Sequence, residues 1–464
     1  MRRYFFCVKN GGYSLPEELE LYEGKIREVL GRPHLQAQAA ATGFVQRSSK
    51  VSADDFFDAL LYVASLHDHC SLSSMVAYFE DRYGIDVRKQ SLDERFNVAC
   101  LEFVKLVLMT IISDKILSIC EPYQGKLGDR YTHIRSKDST KFKVPDALEA
   151  HYKGNGGSLA GISIQYEYDF LTGQVFDLAV YSGDRNDRSD AVATKSNVEV
   201  GDLIIRDLGY HSLDVFQFIA DKGAFFLSRH YTPTSVFCKN GERVSFKELH
   251  EIMKKTGMQQ MEIEVYLGNE HRIPVRMLLI PVSEEVYKKR VRDRKKEQKK
   301  RGGAMTEEMC ACYRYSIFIT NADSDILPTD AILLMYKLRW QIELHFKAWK
   351  SLFCIHKIEK MKEERFLCLL FARLILIIIN LQLTYRVQNS IQTTRKDGKR
   401  QRLSFYKALH TLTRHFDLLY TIFRGEKRMA RVALISLLKM LSNNHFLESK
   451  KNKIGLNEII ELLC

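Results

Sequence analysis

The chain has 464 residues, 45% of them hydrophobic and 27% charged, and carries a formal net charge of +13. This length exceeds that of one ordinary domain, so we expect two to four domains. The basic surplus favours a polyanionic partner such as nucleic acid, although a merely basic protein would show it too. The cysteines argue against a zinc finger and for reduced thiols in a cytosolic protein, because no second ligand pair at the right spacing accompanies Cys310 and Cys312, or His67, His69 and Cys70.

Residues 1–125 are predicted to form a helical DNA-binding region. The N-terminal segment has no long apolar run, so no signal peptide is expected. Helical spacing of apolar residues begins after Ser52, a candidate N-cap. Two helical segments flank Gly84, which is compatible with a helix-turn-helix motif, although a plain helical bundle would give the same pattern. In the DNA-binding interpretation the groove-facing side chains are Arg88, Lys89, Gln90 and Arg95.

Residues 126–230 change to a mixed α/β pattern. A short strand is predicted to end near Asp138, and two strands rich in β-branched and aromatic residues follow as a hairpin. The next apolar strand ends at Asp207. A helix from Ser212 to Gly223 and a further strand complete the segment.

Residues 231–314 interrupt this pattern with two predicted strands and a basic run, Lys288–Arg301. The run holds ten Lys or Arg against two acids. It is a candidate phosphate-contacting helix with Arg290, Arg292 and Arg294 as DNA ligands, or only a solvated charged arm.

The α/β pattern resumes over residues 315–390, and residues 391–464 are predicted to be helical after a basic loop. One apolar segment, Phe366–Tyr385, is long enough to resemble a membrane span. It contains Arg373 and follows a highly charged stretch, so we expect a buried core helix and no membrane contact.

Tyr336, Arg339, Glu343 and Lys350 are the most informative residues of the chain. Their spacings of three, four and seven place all four on one face of a single helix. An ordinary surface glutamate paired with Arg339 would explain Glu343 on spacing alone.

This segment resembles the Y-x2-R-x3-E-x6-K signature of bacterial insertion-sequence transposases of the DDE class, of the insertion-sequence family four type. Asp138 in K-D-S-T resembles the family's D-S/T motif, and Asp207 in R-D-L-G-Y resembles its D-x-G-Y/F motif. The resemblance covers roughly residues 130–385. It implies an RNase H-like mixed-sheet α/β core with a mostly β insertion, between helical N- and C-terminal regions.

The resemblance also implies the chemistry. Asp138, Asp207 and Glu343 would be the catalytic residues and would bind Mg²⁺, or Mn²⁺ in its place, with two ions roughly 3.5–4 Å apart. Other acids compete on sequence: Asp146 and Asp177 with Asp138, and Asp202 with Asp207. Tyr336, Arg339 and Lys350 would contact DNA phosphates, although Tyr336 could instead be a core aromatic.

The implied function is cut-and-paste transposition in the bacterial cytoplasm, at the nucleoid. A homodimer would bind double-stranded DNA at the element's terminal inverted repeats, cleave it and join it to target DNA. Two alternatives are a metal-dependent nuclease that stops at hydrolysis and a catalytically idle DNA-binding protein.

One feature departs from the family pattern. In the family, a tryptophan of the insertion can receive a flipped base while a DNA hairpin forms, but Trp340 and Trp349 both lie on the signature segment. A flipped base would need Tyr231, Phe237 or Tyr266 instead. This departure counts against the DNA-hairpin route but not against the DDE chemistry.

Overall fold

The computed structural model describes residues 8–9, 12–13, 15–47, 49–66, 70–120, 129–302, 304–390 and 402–447. Predictions for His67, His69 and most of the basic loop at 393–402 therefore lie outside the described residues. The described chain forms two compact units. The first contains the residues up to 120 with 140–184 and 341–447, and the second contains 129–139 and 185–340. The five-segment division by sequence remains a prediction.

The N-terminal region is helical, as predicted. Ser52 is confirmed as an N-cap, because its side chain accepts a hydrogen bond from the backbone N–H of Asp55. The segment after Gly84, predicted as one helix, is instead two helices bent by 66° near Asn97, which caps the second. The elements are β1 (Val8–Lys9), β2 (Gly12–Tyr13), α1 (Glu17–Val29), α2 (Arg32–Ala41), α3 (Ala53–Ser65), α4 (Leu72–Tyr83), α5 (Lys89–Arg95), α6 (Val98–Ser113) and α7 (Lys115–Ser118).

The strand and helix order over residues 126–230 follows the prediction, with one additional helix before the strand that precedes Asp207. Asp207 directly follows its strand, as expected, whereas Asp138 lies inside a strand rather than at its end. The elements are β3 (Ile134–Lys143), β4 (Gly161–Asp169), β5 (Val175–Ser182), α8 (Asp187–Ala193), β6 (Leu203–Arg206), α9 (Leu213–Asp221) and β7 (Phe225–Arg229).

The insertion is mixed rather than mostly β. Its two predicted strands are present, but the basic run lies on a helix of 18 residues that is longer than either strand. The elements are β8 (Val236–Phe237), α10 (Phe246–Thr256), β9 (Met261–Leu267), β10 (Ile273–Pro281), α11 (Glu284–Arg301) and α12 (Glu307–Tyr313).

The predicted signature helix is divided into two helices at Arg339. The backbone N–H of Arg339 bonds to Tyr336 O, three residues back, so the regular i→i−4 ladder is interrupted there. The four signature residues therefore do not share one uninterrupted helix. The remaining elements are β11 (Tyr315–Thr320), α13 (Thr329–Leu338), α14 (Trp340–Ser351), α15 (Glu363–Ser390), α16 (Phe405–Leu412), α17 (Phe416–Arg424) and α18 (Lys427–Asn444).

The second unit is built on a mixed sheet with the strand order β3-β6-β7-β11-β10-β9-β8. The β3, β6 and β7 strands run parallel, and β7, β11, β10, β9 and β8 pair antiparallel. Its apolar core includes Phe226, Met277 and Ile319, from three different strands. Parallel pairing brings the carboxyl ends of β3, β6 and β7 to one region of the sheet, where α/β proteins usually place their sites.

The first unit is organised around α15, with α3 and α6 packed against it and the β4–β5 hairpin in the same unit. The helix is long and apolar enough to cross a membrane, but its most apolar 18-residue window is entirely buried in the unit. Arg373 is accommodated because its guanidinium donates to Cys354 O at 2.7 Å and Lys357 O at 3.1 Å. The segment has the burial expected of a core helix.

Candidate active site

Asp138 and Asp207 lie side by side on neighbouring parallel strands. The β3–β6 register pairs Ile134 with Leu203 and ends with Lys137 opposite Arg206. Asp138 and Asp207 are the residues that directly follow this last pair, Asp138 within β3 and Asp207 just after β6. Asp207 keeps an extended conformation, with φ −73° and ψ 164°. Neighbouring strands are ~4.8 Å apart and partners in register point to the same face. The sheet therefore brings two carboxylates together.

Asp138 is held by its own strand and by Arg339. Its Oδ1 accepts the Ser139 N–H at 2.8 Å, and its Oδ2 lies 3.6 Å from an Arg339 guanidinium nitrogen. Both side chains keep some exposure, 20% for Asp138 and 14% for Arg339. The first acid and the first signature cation are therefore neighbours.

Tyr336 lies close to the same acids. Its ring packs edge-on against Phe318, with centroids 5.1 Å apart, and the Arg339 guanidinium lies 5.9 Å from the ring centre. Burial raises the pKa of Tyr336 to about 12, Asp207 adds to the rise and Arg339 opposes it. The phenol is therefore protonated at neutral pH and can donate a hydrogen bond.

Sequence reasoning missed the helix α8, which flanks the two acids. Lys137 is fully buried, and its ammonium lies 2.6 Å from Asp190 Oδ2 and 2.9 Å from Thr194 Oγ1, which ties α8 to β3. Asp187, at the start of α8, lies close to Gly209. If Gly209 carried a Cβ, that atom would be 3.4 Å from an Asp187 carboxylate oxygen. The contacts of Lys137 with Asp190 and Thr194 link residues more than fifty positions apart, so no local motif indicates them.

Glu343 and Lys350 lie on α14, and both belong to the first unit. The Lys350 ammonium donates to Lys141 O at 3.3 Å, and burial lowers its pKa. The buried face of α14 carries Phe346 and Trp349, which pack against Tyr166. Phe346 is therefore a packing residue.

The other predicted DNA ligands differ in solvent exposure and in whether the protein already binds their side chains. Arg88 and Lys89 are exposed at the start of α5, whereas Arg95 is partly buried and donates to Ser49 Oγ at 2.6 Å. On α11, Arg292 is exposed and Arg294 is paired with a neighbouring glutamate.

Arg290, on the same helix, is committed to the protein. It donates to Tyr313 O at 3.1 Å, Tyr315 O at 2.6 Å and the Ser316 hydroxyl at 3.2 Å. These bonds give Arg290 a structural role that its position in a basic run did not indicate.

Asp202, the sequence rival of Asp207, lies at the opposite end of the paired strands. It is fully buried, accepts from Arg135 at 2.8 Å and contacts His133 Nδ1 at 2.7 Å. Together with Glu199, His133 and Asp202 place ligand-type atoms within 4.8 Å of one another. Five residues separate Asp202 from Asp207, a span of roughly 16 Å along a strand. Because Arg135 already neutralises the buried Asp202, we interpret this cluster as a structural network.

The rivals of Asp138 lie elsewhere, in the first unit. Asp146 is exposed in a short 3₁₀ turn after β3. Asp177 lies within β5, opposite Glu167 of β4. Neither residue stands on a strand paired with β6.

The three aromatic candidates for a flipped base differ in exposure. Tyr231 is 45% exposed and its ring is tilted against His211, with centroids 5.4 Å apart. Phe237 is covered by the guanidinium of Arg272, 3.5 Å from its ring centre, and pairs across the strands with Tyr266. Tyr231 therefore offers the more open ring.

Comparison with known proteins supplies the family. A family model described as "Transposase DDE domain" matches residues 133–381. The transposase for insertion sequence element IS231E of Bacillus thuringiensis subsp. finitimus is 30% identical over 454 residues, which cover 93% of each chain. The IS231B transposase of B. thuringiensis subsp. berliner is 29% identical with the same coverage, and the IS1151 transposase of Clostridium perfringens is 27% identical over 94% of each chain. The chain belongs to the family of insertion-sequence transposases with a DDE domain.

Proposed function

We propose that this transposase cleaves DNA at the ends of its element and joins them to target DNA in a Mg²⁺-dependent, cut-and-paste reaction. The observation that carries the proposal is that Asp138 and Asp207 each directly follow the last register pair of β3 and β6, at the same end of two parallel strands. Two carboxylates at one end of paired parallel strands suit phosphodiester chemistry.

The residues present fit a divalent metal, which DDE transposases normally use. Carboxylate oxygens are the ligands Mg²⁺ prefers, and two side chains offset by one strand spacing can share a site. Asp138 and Asp207 would hold the metal, and Glu343 is proposed as the third carboxylate on its motif alone. When bound, two Mg²⁺ ions would supply activation of the attacking oxygen and neutralisation of the leaving one.

The chain's own residues would bind and orient the DNA backbone. The neutral Tyr336 phenol would donate to a phosphate oxygen, and Arg339 and Lys350 would grip phosphates. These cations would offset the repulsion between carboxylates and DNA. Arg339 already lies beside Asp138, which supports this part of the proposal.

Alanine variants of Arg339 and Lys350 are expected to keep the fold and lose affinity for element-end DNA. Each lost phosphate contact should lower the slope of log K against log salt by about one unit. Binding measured across a salt titration in Ca²⁺ tests this without cleavage. Wild-type slopes in both variants would make the two cations structural, and Lys222→Ala, an exposed cation of the second unit, serves as the matched control.

We further propose double-stranded DNA with terminal inverted repeats as the partner, bound by a homodimer because two ends must be cut. Arg88, Lys89 and Arg95 in the N-terminal region, and Arg292 and Arg294 on α11, are the proposed additional DNA ligands. Arg290 on the same helix is less suited, because backbone carbonyls already bind its guanidinium. The geometry favours the exposed Arg88, Lys89 and Arg292 among them. Action in the bacterial cytoplasm, at the nucleoid, follows from that substrate, and sedimentation of the DNA complex tests the dimer.

A strand-transfer assay tests the proposed function. Pre-cleaved end DNA with a free 3′-OH is incubated with a supercoiled target and Mg²⁺, and joined products are expected. Nicking of an uncleaved donor, run in parallel, without joined product from the pre-cleaved one would indicate a nuclease that stops at hydrolysis. Tight end binding with neither product would indicate a catalytically idle DNA-binding protein.

A further inference from the structure

Arg229 stands in line with the two proposed catalytic aspartates. The β6–β7 register pairs Leu203 with Phe225 and Ile205 with Leu227. Two residues beyond that last pair, the same register places Asp207 opposite Arg229. Asp138, Asp207 and Arg229 therefore occupy equivalent positions on three adjacent parallel strands. Partners in register point to the same face, so the guanidinium is directed to the carboxylate side of the sheet.

The neighbour of Arg229 confirms this direction. His230 is 7% exposed, and its ring packs near Phe246, with centroids 5.7 Å apart. Successive side chains alternate between faces of a strand, so the buried His230 leaves Arg229 on the opposite face. Phe318 of β11 pairs with Arg229, and its ring supports Tyr336.

The Arg229 guanidinium is not engaged by the described residues of the protein. Within the described part of the chain, its guanidinium makes neither a hydrogen bond nor an ion pair, and the side chain is partly exposed. Burial lowers the pKa of the nearby Arg290, and the like charge of Arg229 lowers it further. Arg290 is already bound to backbone carbonyls, whereas the donors of Arg229 are open to an anion at this position.

We infer that Arg229 binds a non-bridging oxygen of the DNA phosphate that is held at Asp138 and Asp207. The inference rests on the proposed function, since it uses the same row of residues. A planar guanidinium one strand away from Asp207 can reach an anion that also approaches the carboxylates, and it would offset their repulsion of DNA. Arg229 is thus a substrate-binding residue outside the Y-R-E-K signature.

The test is a phosphate-neutralisation scan on pre-cleaved end DNA, measured in Ca²⁺ so that binding is read without cutting. Single methylphosphonates are placed at successive positions around the 3′ end. Arg229→Ala should weaken binding to unmodified DNA and lower the salt slope by about one unit, and Arg229→Lys should restore the slope. At one position, the methylphosphonate should weaken wild type and leave Arg229→Ala unaffected.

The outcomes separate this inference from the proposed function. If Arg229→Ala keeps the wild-type slope and shows equal losses at every methylphosphonate, Arg229 does not bind phosphate, whatever the aspartates do. If Asp207→Asn still cleaves in Mg²⁺, the proposed catalytic function fails, and the scan in Ca²⁺ still reports on Arg229. Lys222→Ala should behave as wild type at every position, and a melting temperature near wild type for Arg229→Ala shows that the fold is intact.

Discussion

Replacing Asp207 or Asp138 by Asn is expected to abolish nicking of element-end DNA. Asp138 and Asp207 directly follow the same register pair of two parallel strands, so each variant would lose one of the two carboxylates of a shared metal site. A loss of several kcal/mol of transition-state stabilisation corresponds to a rate decrease on the order of 1,000-fold or more. Glu343→Gln should have the same effect if the motif assigns the third acid correctly. Single-turnover nicking in Mg²⁺ measures each rate.

A second readout keeps this prediction independent of activity. Mn²⁺ should raise the melting temperature of wild type, because binding to the folded state alone stabilises by about 2.7 kcal/mol at 100 times the dissociation constant. Removing one of two adjacent carboxylates should remove that shift, while binding to end DNA in the absence of metal should stay nearly unchanged. The variants Asp146→Asn and Asp177→Asn are matched controls with acids elsewhere in the chain.

Two results would overturn the assignment. Substantial cleavage by Asp207→Asn would remove it from the catalytic set. A Mn²⁺ shift that survives in Asp207→Asn but is lost in Asp202→Asn would move the metal to the His133 cluster at the other end of β6.

The sequence predicts the position of Asp207 directly after a strand because the signals for that position are local. An apolar strand, an acid and a glycine break follow one another in the chain, and the structure has the same order. Asp138 lies inside β3 rather than at its end, because β3 extends to Lys143 whereas its partner β6 ends at Arg206. The end of a strand depends on its partners, which a single sequence does not display.

Other features depend on distant pairings or on single hydrogen bonds. The residues of the signature segment have helical spacing throughout. That spacing cannot reveal that the backbone hydrogen-bond ladder is interrupted at Arg339. The basic composition of α11 indicates DNA contact for Arg290, but backbone carbonyls 23 and 25 residues away bind that side chain. The alignment of Arg229 with Asp207 requires the register of β6 and β7, which no motif encodes.

Arg424→Ala is expected to destabilise the first unit by ~3–5 kcal/mol, because it leaves a buried charge without its partner. Asp58 is 3% exposed and receives hydrogen bonds from Arg424 Nε at 2.8 Å and from an Arg424 terminal nitrogen at 2.6 Å. Tyr83 and Tyr420 hydroxyls donate to the same carboxylate at 3.2 and 3.3 Å. Urea unfolding followed through the buried Trp349 measures the change in this unit.

The pH dependence and two controls identify the cause. Burial raises the pKa of Asp58 and Arg424 opposes the rise, so removing Arg424 should raise it further. When a carboxyl has a raised pKa in the folded state, the free energy of unfolding falls as pH rises through that pKa. The stability lost in Arg424→Ala should therefore be smaller in acid and complete at neutral pH. Adding Asp58→Asn to the variant should recover part of the loss, because it removes the unpaired charge.

Arg431→Ala breaks a pair with Glu20 in which both side chains are more than 40% exposed, and it should cost no more than about 1 kcal/mol. A deficit of Arg424→Ala equal to that of Arg431→Ala, or one independent of pH, would mean that the buried carboxylate is not the source of the effect.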